Sequence, residues 1–427
     1  MRATARAVGA RTFRSLRVRN YRLFFLGQLV SVTGTWMQTV AQSWLVLNLT
    51  GSGVALGVTV ALQFLPMLLF GMWGGLLADR LDKRRLLVAT QAAGGVLALA
   101  LWGLVASGAV QLWMVYVLAF LLGVVTMVDM PTRQSFVIEM VGPDEVPNAV
   151  GLNSAMFNTG RILGPAAAGV MIASFGIAPA FLVNAVSFLA VIGGLLAMRP
   201  DELFRRVPAP RRRGEVRAGL RYVWTDPTLR STLFLVAVLG LFGFNFVVVL
   251  PLLARFTFHG GAGLYSLFTA LMSVGSLAGA LVAASRAAPS RVVLVGSGAA
   301  FGVLMLATAA APTVLLTTVL LVAVGMAVML FLATANTILQ LNSDPEMRGR
   351  VMALYGLVFL GSTPVGGPLL GWIAQAWGPR TGLALGGASS LAAALAAMSG
   401  IRARRSAADA PNADGSVAAG ADAIAVA

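Results

Sequence analysis

No cysteine occurs in the chain, and histidine occurs once, at His259. The first absence excludes a disulfide framework, a thiolate metal site and a cysteine nucleophile. The second excludes histidine-cluster metal sites and argues against a serine–histidine–aspartate arrangement. Charge is scarce as well. Charged residues make up 11% of the 427, where a soluble domain carries roughly a quarter. That is too little to cover a water-facing surface of this size, so lipid must cover much of it. No G-x4-G-K-[ST] stretch is present, which argues against primary transport driven by this chain alone. No cleavable signal peptide is expected, because the basic N-terminus leads into a first apolar span too long for a signal core.

What fills the space is apolar. Hydrophobic residues reach 58% and the mean hydropathy is +0.86. A bilayer core of about 30 Å takes about 20 helical residues to cross. Spans are expected near 22–47, 53–78, 86–106, 112–134, 147–173, 178–198, 229–254, 263–284, 291–309, 313–339, 350–375 and 380–400. Runs of this length, dense in Gly, Ala and Leu, exclude barrel strands. The reading is an all-α membrane protein of twelve transmembrane helices.

The net charge of +16 is distributed by topology. With the N-terminus inside, cytoplasmic segments hold 28 of the 31 basic residues; only Arg161, Arg255 and Arg380 fall elsewhere. This is the positive-inside asymmetry. It places both termini in the cytoplasm of a bacterial inner membrane and argues against nucleic acid as a partner. The longest polar interruption divides the spans six and six. The expected organisation is a basic N-terminal segment (1–20), a six-helix bundle (21–198), a cytoplasmic linker (199–228), a second six-helix bundle (229–400) and a disordered tail (401–427). Within the linker, 214–224 reads as a short amphipathic helix on the membrane surface.

The halves resemble each other. Gly164-Pro165 in the fifth span returns as Gly367-Pro368 in the eleventh, 203 residues later. Phe175-Gly176 returns as Trp377-Gly378 after 202 residues, and Asp79-Arg80 as Ser285-Arg286 after 206. A shared offset at independent landmarks indicates duplication into two pseudo-symmetric bundles. Secondary transporters are built this way, with the substrate site between repeats.

Two stretches carry a physical reason. The loop between spans two and three reads Gly75-Leu76-Leu77-Ala78-Asp79-Arg80-Leu81-Asp82-Lys83-Arg84-Arg85. Gly75 allows close helix approach, Asp79 places an acid at the membrane surface, and the basic cluster anchors to anionic headgroups. The fifth span carries Gly151, Gly160, Gly164-Pro165 and Ala168-Gly169. Small residues at this spacing let helices pack closely, and Pro165 favours a kink.

The loop resembles the motif G-x-L-a-D-R-x-G-R-R of the major facilitator superfamily, with Asp82 where the family has Gly. The resemblance implies a conformational latch formed by Gly75, Asp79, Arg80, Lys83 and Arg84, with Asp79 facing the start of the eleventh helix near Arg348 and Arg350. Ser285 replaces the acid in the second half, so one such latch is expected. The fifth span is similar to the antiporter motif G-x8-G-x3-G-P-x2-G-G of exporting members, with Ala168 in place of one Gly. Arg19-Asn20-Tyr21-Arg22-Leu23-Phe24, Asp129-Met130-Pro131-Thr132-Arg133-Gln134 and Met347-Arg348-Gly349-Arg350-Val351 resemble the transmembrane secretion effector branch, which includes enterobactin exporters and macrolide-efflux-like proteins. The resemblance covers about residues 15–400. It implies efflux of a small molecule by alternating access, driven by protons.

Ionisable residues inside spans are costly and functional by default. Arg161 lies near mid-depth of span five, and Asp129 is the one acid well inside a span. Three readings stand: an Arg161–Asp129 pair, Arg161 as an attractor of anionic or phenolic cargo, and Asp129 as the proton carrier. Asp129 and Arg133, spaced i, i+4, form an alternative pair that frees Arg161. Span one is polar at helical spacing, with Gln28, Thr35, Gln38 and Gln42 as cavity candidates. Asn153, Asn158, Asn245 and Asn336 join them, with Trp36, Asn184 and Gln340 as similar residues. Phe24, Phe64 and Phe244 read first as packing. No cofactor and no metal site is expected. The reading is a monomeric secondary exporter of an amphipathic molecule; an uptake symporter of the same fold and a membrane sensor without flux are the alternatives.

Overall fold

The computed structural model describes residues 13–204, 215–286 and 289–408 of the 427. Every regular element in them is helical. The long elements are α1 (Arg19–Thr50), α2 (Gly53–Arg80), α3 (Lys83–Ala106), α4 (Leu112–Val141), α5 (Val146–Phe175) and α6 (Ala178–Leu196) in the first half. The second half holds α7 (Pro227–Thr257), α8 (Ala262–Ala284), α9 (Arg291–Ala310), α10 (Val314–Leu341), α11 (Arg348–Trp377) and α12 (Pro379–Ala408). Ten of these are long and apolar enough to cross a membrane. The other two, α1 and α5, have the length, at 32 and 30 residues, but carry more polar residues. That is the expected cost of lining an interior rather than facing lipid.

Helix ends follow local chemistry. Ser52, Ser290 and Thr313 cap α2, α9 and α10 with their hydroxyls. Asp226 caps α7, accepting from the Thr228 and Leu229 amides, with Pro227 in the first turn. Gly51 closes α1 in the left-handed conformation at φ 63°.

Several boundaries differ from the sequence reading. Helix α4 runs to Val141 rather than 134, which puts Glu139 on the helix. Its carboxylate is neutralised by Lys83, so hydropathy alone stopped the span too early. Helix α7 is interrupted. Leu239–Gly243 and Leu253–Thr257 are π-helical, and Phe244 leaves the helical conformation. Gly240 and Gly243 make the break cheap, and the Asn245 amide donates to the Gly240 and Leu241 carbonyls it frees. Helix α11 has two segments, Arg348–Gly361 and Thr363–Trp377, because Pro364 cannot continue the ladder. Helix α12 continues to Ala408 on helix-forming Ala and Arg, so the first residues assigned to the tail are helical; the rest of the tail lies outside the described residues. In the linker, Glu215–Thr225 is helical as expected. The N-terminal segment is docked where it is described: Arg14 pairs with Glu145 at 2.6 Å and the Ser15 amide donates to Asn148.

The duplication is visible in matched helix contacts. Helices α2 and α4 approach through Gly74 and Gly123, and α8 and α10 approach through Gly275, Gly279 and Gly325. In each of these a Cβ would strike the partner's backbone carbonyl. Across the halves, α2 packs on the second segment of α11, and α5 packs on α8.

The end remote from the basic 80–85 loop is fastened. Gly53 faces Gly371, and Gly57 faces Gly367 and Pro368, backbone to backbone. The Ser52 hydroxyl donates to Gln375 Oε1 at 2.7 Å, and Arg255 donates to Asn48 Oδ1 at 3.0 Å. The Ser43 and Tyr265 hydroxyls lie side by side across the halves. At the basic end, by contrast, Gly151 on α5 and Gly349 and Gly356 on α11 have nothing within 4 Å of a built Cβ.

A Cβ at Gly57 would lie 2.7 Å from Pro368 Cα, whereas one at Gly367 would lie 3.2 Å from its nearest neighbour, the Gly57 carbonyl oxygen. Gly57→Ala is therefore expected to wedge the fastened end apart, and Gly367→Ala to leave it closed. The natural absence of cysteine allows a Ser52→Cys/Gln375→Cys pair to report this by cross-linking. Yield should fall at least about two-fold in Gly57→Ala only, the wedge disfavouring the closed state by a few tenths of a kcal/mol or more. Equal yields would remove the glycine contact as the fastener.

Candidate transport site and gates

Aspartate at position 82 has a structural reason. It is the N-cap of α3, its carboxylate accepting from the Arg85 amide at 2.9 Å, with φ −61°. No left-handed residue is needed there, so a glycine is not required and a helix cap takes its place. Lys83 then reaches Glu139 on α4 at 2.5 Å, a pair whose side chains are 13% and 10% exposed. Arg84 turns the other way. Its guanidinium donates to the Leu195 and Leu196 carbonyls at 2.7 and 2.9 Å, at the C-terminal end of α6 where a cation is favoured. The loop thus clamps α3, α4 and α6 together. Asp79 is half-buried in the last turn of α2 and Arg80 is exposed. Gly74, the neighbour of Gly75, lies against the Met127 carbonyl.

The α5 glycines divide their work. Gly160 and Gly164 lie against α1, where added Cβ atoms would sit 2.6 Å from Val32 Cγ1 and 2.5 Å from Trp36 Cβ. Gly169 faces the other half, 2.8 Å from Ser266 Cβ on α8. Pro165 is buried and α5 remains continuous through it. Gly151, in open space, makes no such contact.

Of the intramembrane charges, Asp129 pairs with Arg133 and not with Arg161. Its other oxygen accepts from Thr90 at 2.9 Å and Gln91 at 2.7 Å, so α3 and α4 share one buried carboxylate. The i, i+4 spacing on one helix outcompetes a partner on another. Arg161 points across the halves instead. It donates to Ser276 Oγ on α8 at 3.3 Å and lies 5.6 Å from the Trp36 ring. Among the described residues no carboxylate lies within ion-pair distance of it. A cation–π contact and one hydroxyl, worth about 2 kcal/mol together, leave most of a guanidinium's hydrogen-bonding capacity open.

A small, partly open cavity of about 40 Å³ lies beside α1, lined by Thr35, Gln38, Gln42, Thr59, Gln63 and Asn184 among others, with Val247 of α7 as its wall from the second half. It has room for about three ordered waters. Asn184 donates to Gln38 Oε1 at 2.6 Å, which fixes that pair. Gln42, only 8% exposed, and Gln63 have side-chain amides without a protein partner. Gln63, Gln375 and Ser276 escaped the sequence reading because single polar residues on apolar helices carry no periodic signal.

The remaining candidates scatter. Gln28 is buried with its Nε2 unpartnered. Asn153 is half-buried, and Asn158 donates to Ser154 O at the basic half of α5. Asn245 holds the α7 break, with Oδ1 unpartnered. Asn336 on α10 accepts from Gln340 at 2.5 Å and lies beside Tyr355 on α11. Among the described residues no three His, Asp or Glu side chains converge to hold a metal.

Comparison with known proteins agrees with this geometry. The family model described as transmembrane secretion effector matches residues 10–421. The multidrug efflux pump Tap of Mycolicibacterium fortuitum is 29% identical over 83% of this chain and 89% of its own. The staphyloferrin A transporter of Staphylococcus aureus is 24% identical over 61% of this chain and 66% of its own, just under two thirds of that relative's length. The nucleoside transporter NupG (D323A mutant) superposes with a TM-score of 0.72 at 14% identity, covering 90% of this chain and 99% of that one, which speaks to the fold. With a match across nearly its whole length, two fastened six-helix halves and a polar seam between them, the chain belongs to the transmembrane secretion effector family of major facilitator transporters and is a multi-pass membrane protein that carries small molecules.

Proposed function

We propose that the protein is a secondary exporter that moves a small amphipathic compound (drug-like, siderophore or secondary metabolite) outward across a bacterial inner membrane, by alternating access and in exchange for protons. The observation that carries the direction is the α5 spacing. Gly160 and Gly164 seat α5 on α1, and Gly169 seats it on α8, so one helix links its own bundle to the other at glycine contacts. This is the spacing associated with exporting members. The name of the relative covering most of the chain, a multidrug efflux pump, supports the same direction. With both termini cytoplasmic by charge asymmetry, the fastened end is the outer one and the looser basic end opens to the cytoplasm.

The site chemistry supports a division of labour. Asp129, enclosed by Arg133, Thr90 and Gln91, ties α3 to α4. Arg161, without a carboxylate partner among the described residues, draws anionic or phenolic cargo. The open vertices of its guanidinium suit a carboxylate or sulfonate.

Two measurements test this. Inside-out vesicles with an acid interior should accumulate 8-anilinonaphthalene-1-sulfonate only when the protein is present, and lose it on adding a protonophore. Accumulation confined to right-side-out vesicles would favour the uptake symporter instead. Arg161→Ala is expected to lower transport of that anionic dye by about five-fold or more, a loss of about 1 kcal/mol, and of the cation ethidium by less than about two-fold. Equal impairment of both would count against a cargo-facing Arg161.

A further inference from the structure

The second half presents aromatic rings where the first presents amides. Tyr355 and Phe359, one turn apart on α11, stack with planes 4° apart. Phe359 meets Phe244 at 5.0 Å between centroids. Phe244 continues edge-on to Phe246, and Phe246 to Phe301. The last two rings are buried, at 5% and 0% exposure, and belong to the core. The first three are only half-buried. Packing alone does not explain that difference.

Polar side chains adjoin the Tyr355 end of these rings. The Tyr355 hydroxyl lies beside Asn336, which accepts from Gln340, an exposed amide. Such a polar array is costly against hydrocarbon and marks a wet interior face. Phe244 is placed there by the break in α7, where the backbone leaves the helix between two π turns. Three residues on, Val247 closes the cavity onto which the unpartnered Gln42 and Gln63 amides open. A glutamine amide without a protein hydrogen bond takes water or ligand instead; the buried Gln42 and the half-buried Gln63 offer two such amides on one cavity to a polar ligand edge.

We propose that Tyr355, Phe359 and Phe244 form a stacking platform for the planar aromatic part of the cargo, while Gln42 and Gln63 take its hydrogen-bonding edge. This rests on the export reading for its cargo, but not for its geometry. The substrate class is a planar aromatic compound with hydrogen-bonding groups along one side. Ring faces tolerate any aromatic system, so such a site selects shape rather than identity.

The test is binding to the full chain in nanodiscs, read as saturable fluorescence of 1-aminoanthracene above empty discs, with competition by 1-aminoadamantane as a non-aromatic probe. Phe359→Leu should weaken 1-aminoanthracene about five-fold and leave 1-aminoadamantane within about two-fold, while Phe359→Trp restores aromatic binding. Gln42→Leu should weaken the aromatic amine but leave anthracene itself unchanged. Equal loss of both probes in Phe359→Leu, failure of Trp to rescue, or no saturable binding by the unaltered protein overturns the platform. Binding is independent of transport direction, so a platform that binds in vesicles showing no export sinks the export reading alone. Export of the dye with unaltered affinity in Phe359→Leu sinks the platform alone.

Discussion

The missing Cβ of glycine at facing helix positions is the constraint on which the rest of this structure depends. Inside a bilayer, apolar side chains gain nothing by leaving lipid for one another, so helices associate through close contact and polar bonds. Here the closest contacts are backbone to backbone: Gly53 to Gly371, Gly57 to Gly367, Gly74 to the Met127 carbonyl. These distances bring the two halves close enough at one end for Ser52 to reach Gln375 and for Arg255 to reach Asn48. On the proposed reading they also leave the fastened end easy to release. A glycine contact holds by dispersion and a few hydrogen bonds, with no buried charge pair to break.

Charges obey the opposite logic. Where a carboxylate is buried it is tied within one half: Asp129 to Arg133, Thr90 and Gln91, and Glu139 to Lys83. Losing one partner of such a pair costs several kcal/mol, so these ties make the first bundle move as a unit. Arg161 is the exception, spanning the halves with only Ser276 and Trp36 for company. A guanidinium left short of partners at a moving seam is poised to exchange them. On the proposed reading, cargo supplies what the protein withholds.

How much of this was legible beforehand follows from which forces leave a pattern. Hydropathy gave the spans, and charge asymmetry gave a basic end, because both average over many residues. Of the α5 motif glycines, Gly160, Gly164 and Gly169 are in tight helix contacts and Gly151 is in open space. Single-residue matters were hidden. Glu139 looked like a loop acid because its partner Lys83 is 56 residues away. Asp82 looked like a departure until its carboxylate capped α3. The competition for Asp129 turned on a side-chain reach that spacing left open, and the i, i+4 partner prevailed. The break in α7 carried only Gly240, Gly243 and Asn245 as signals, and such residues are common in membrane helices.

The two halves began as copies, and their packing still matches, yet their inner faces have diverged. The first half offers amides and hydroxyls along α1 and α2, and a cation on α5. The second offers rings on α7 and α11, joined to a short polar array on α10. A symmetric pair of faces would hold a symmetric or featureless cargo equally in either orientation. Unequal faces hold an amphipathic cargo in one orientation, polar edge toward the first bundle. On the proposed reading, when the halves rock about the glycine seam the faces separate from each other rather than deform, so the cargo must let go of one of them. Amide bonds are readily exchanged for water, whereas ring stacking is not. On the same proposed reading, the cargo therefore leaves the first half first and the aromatic face last, which makes the α7–α11 rings the step that sets release.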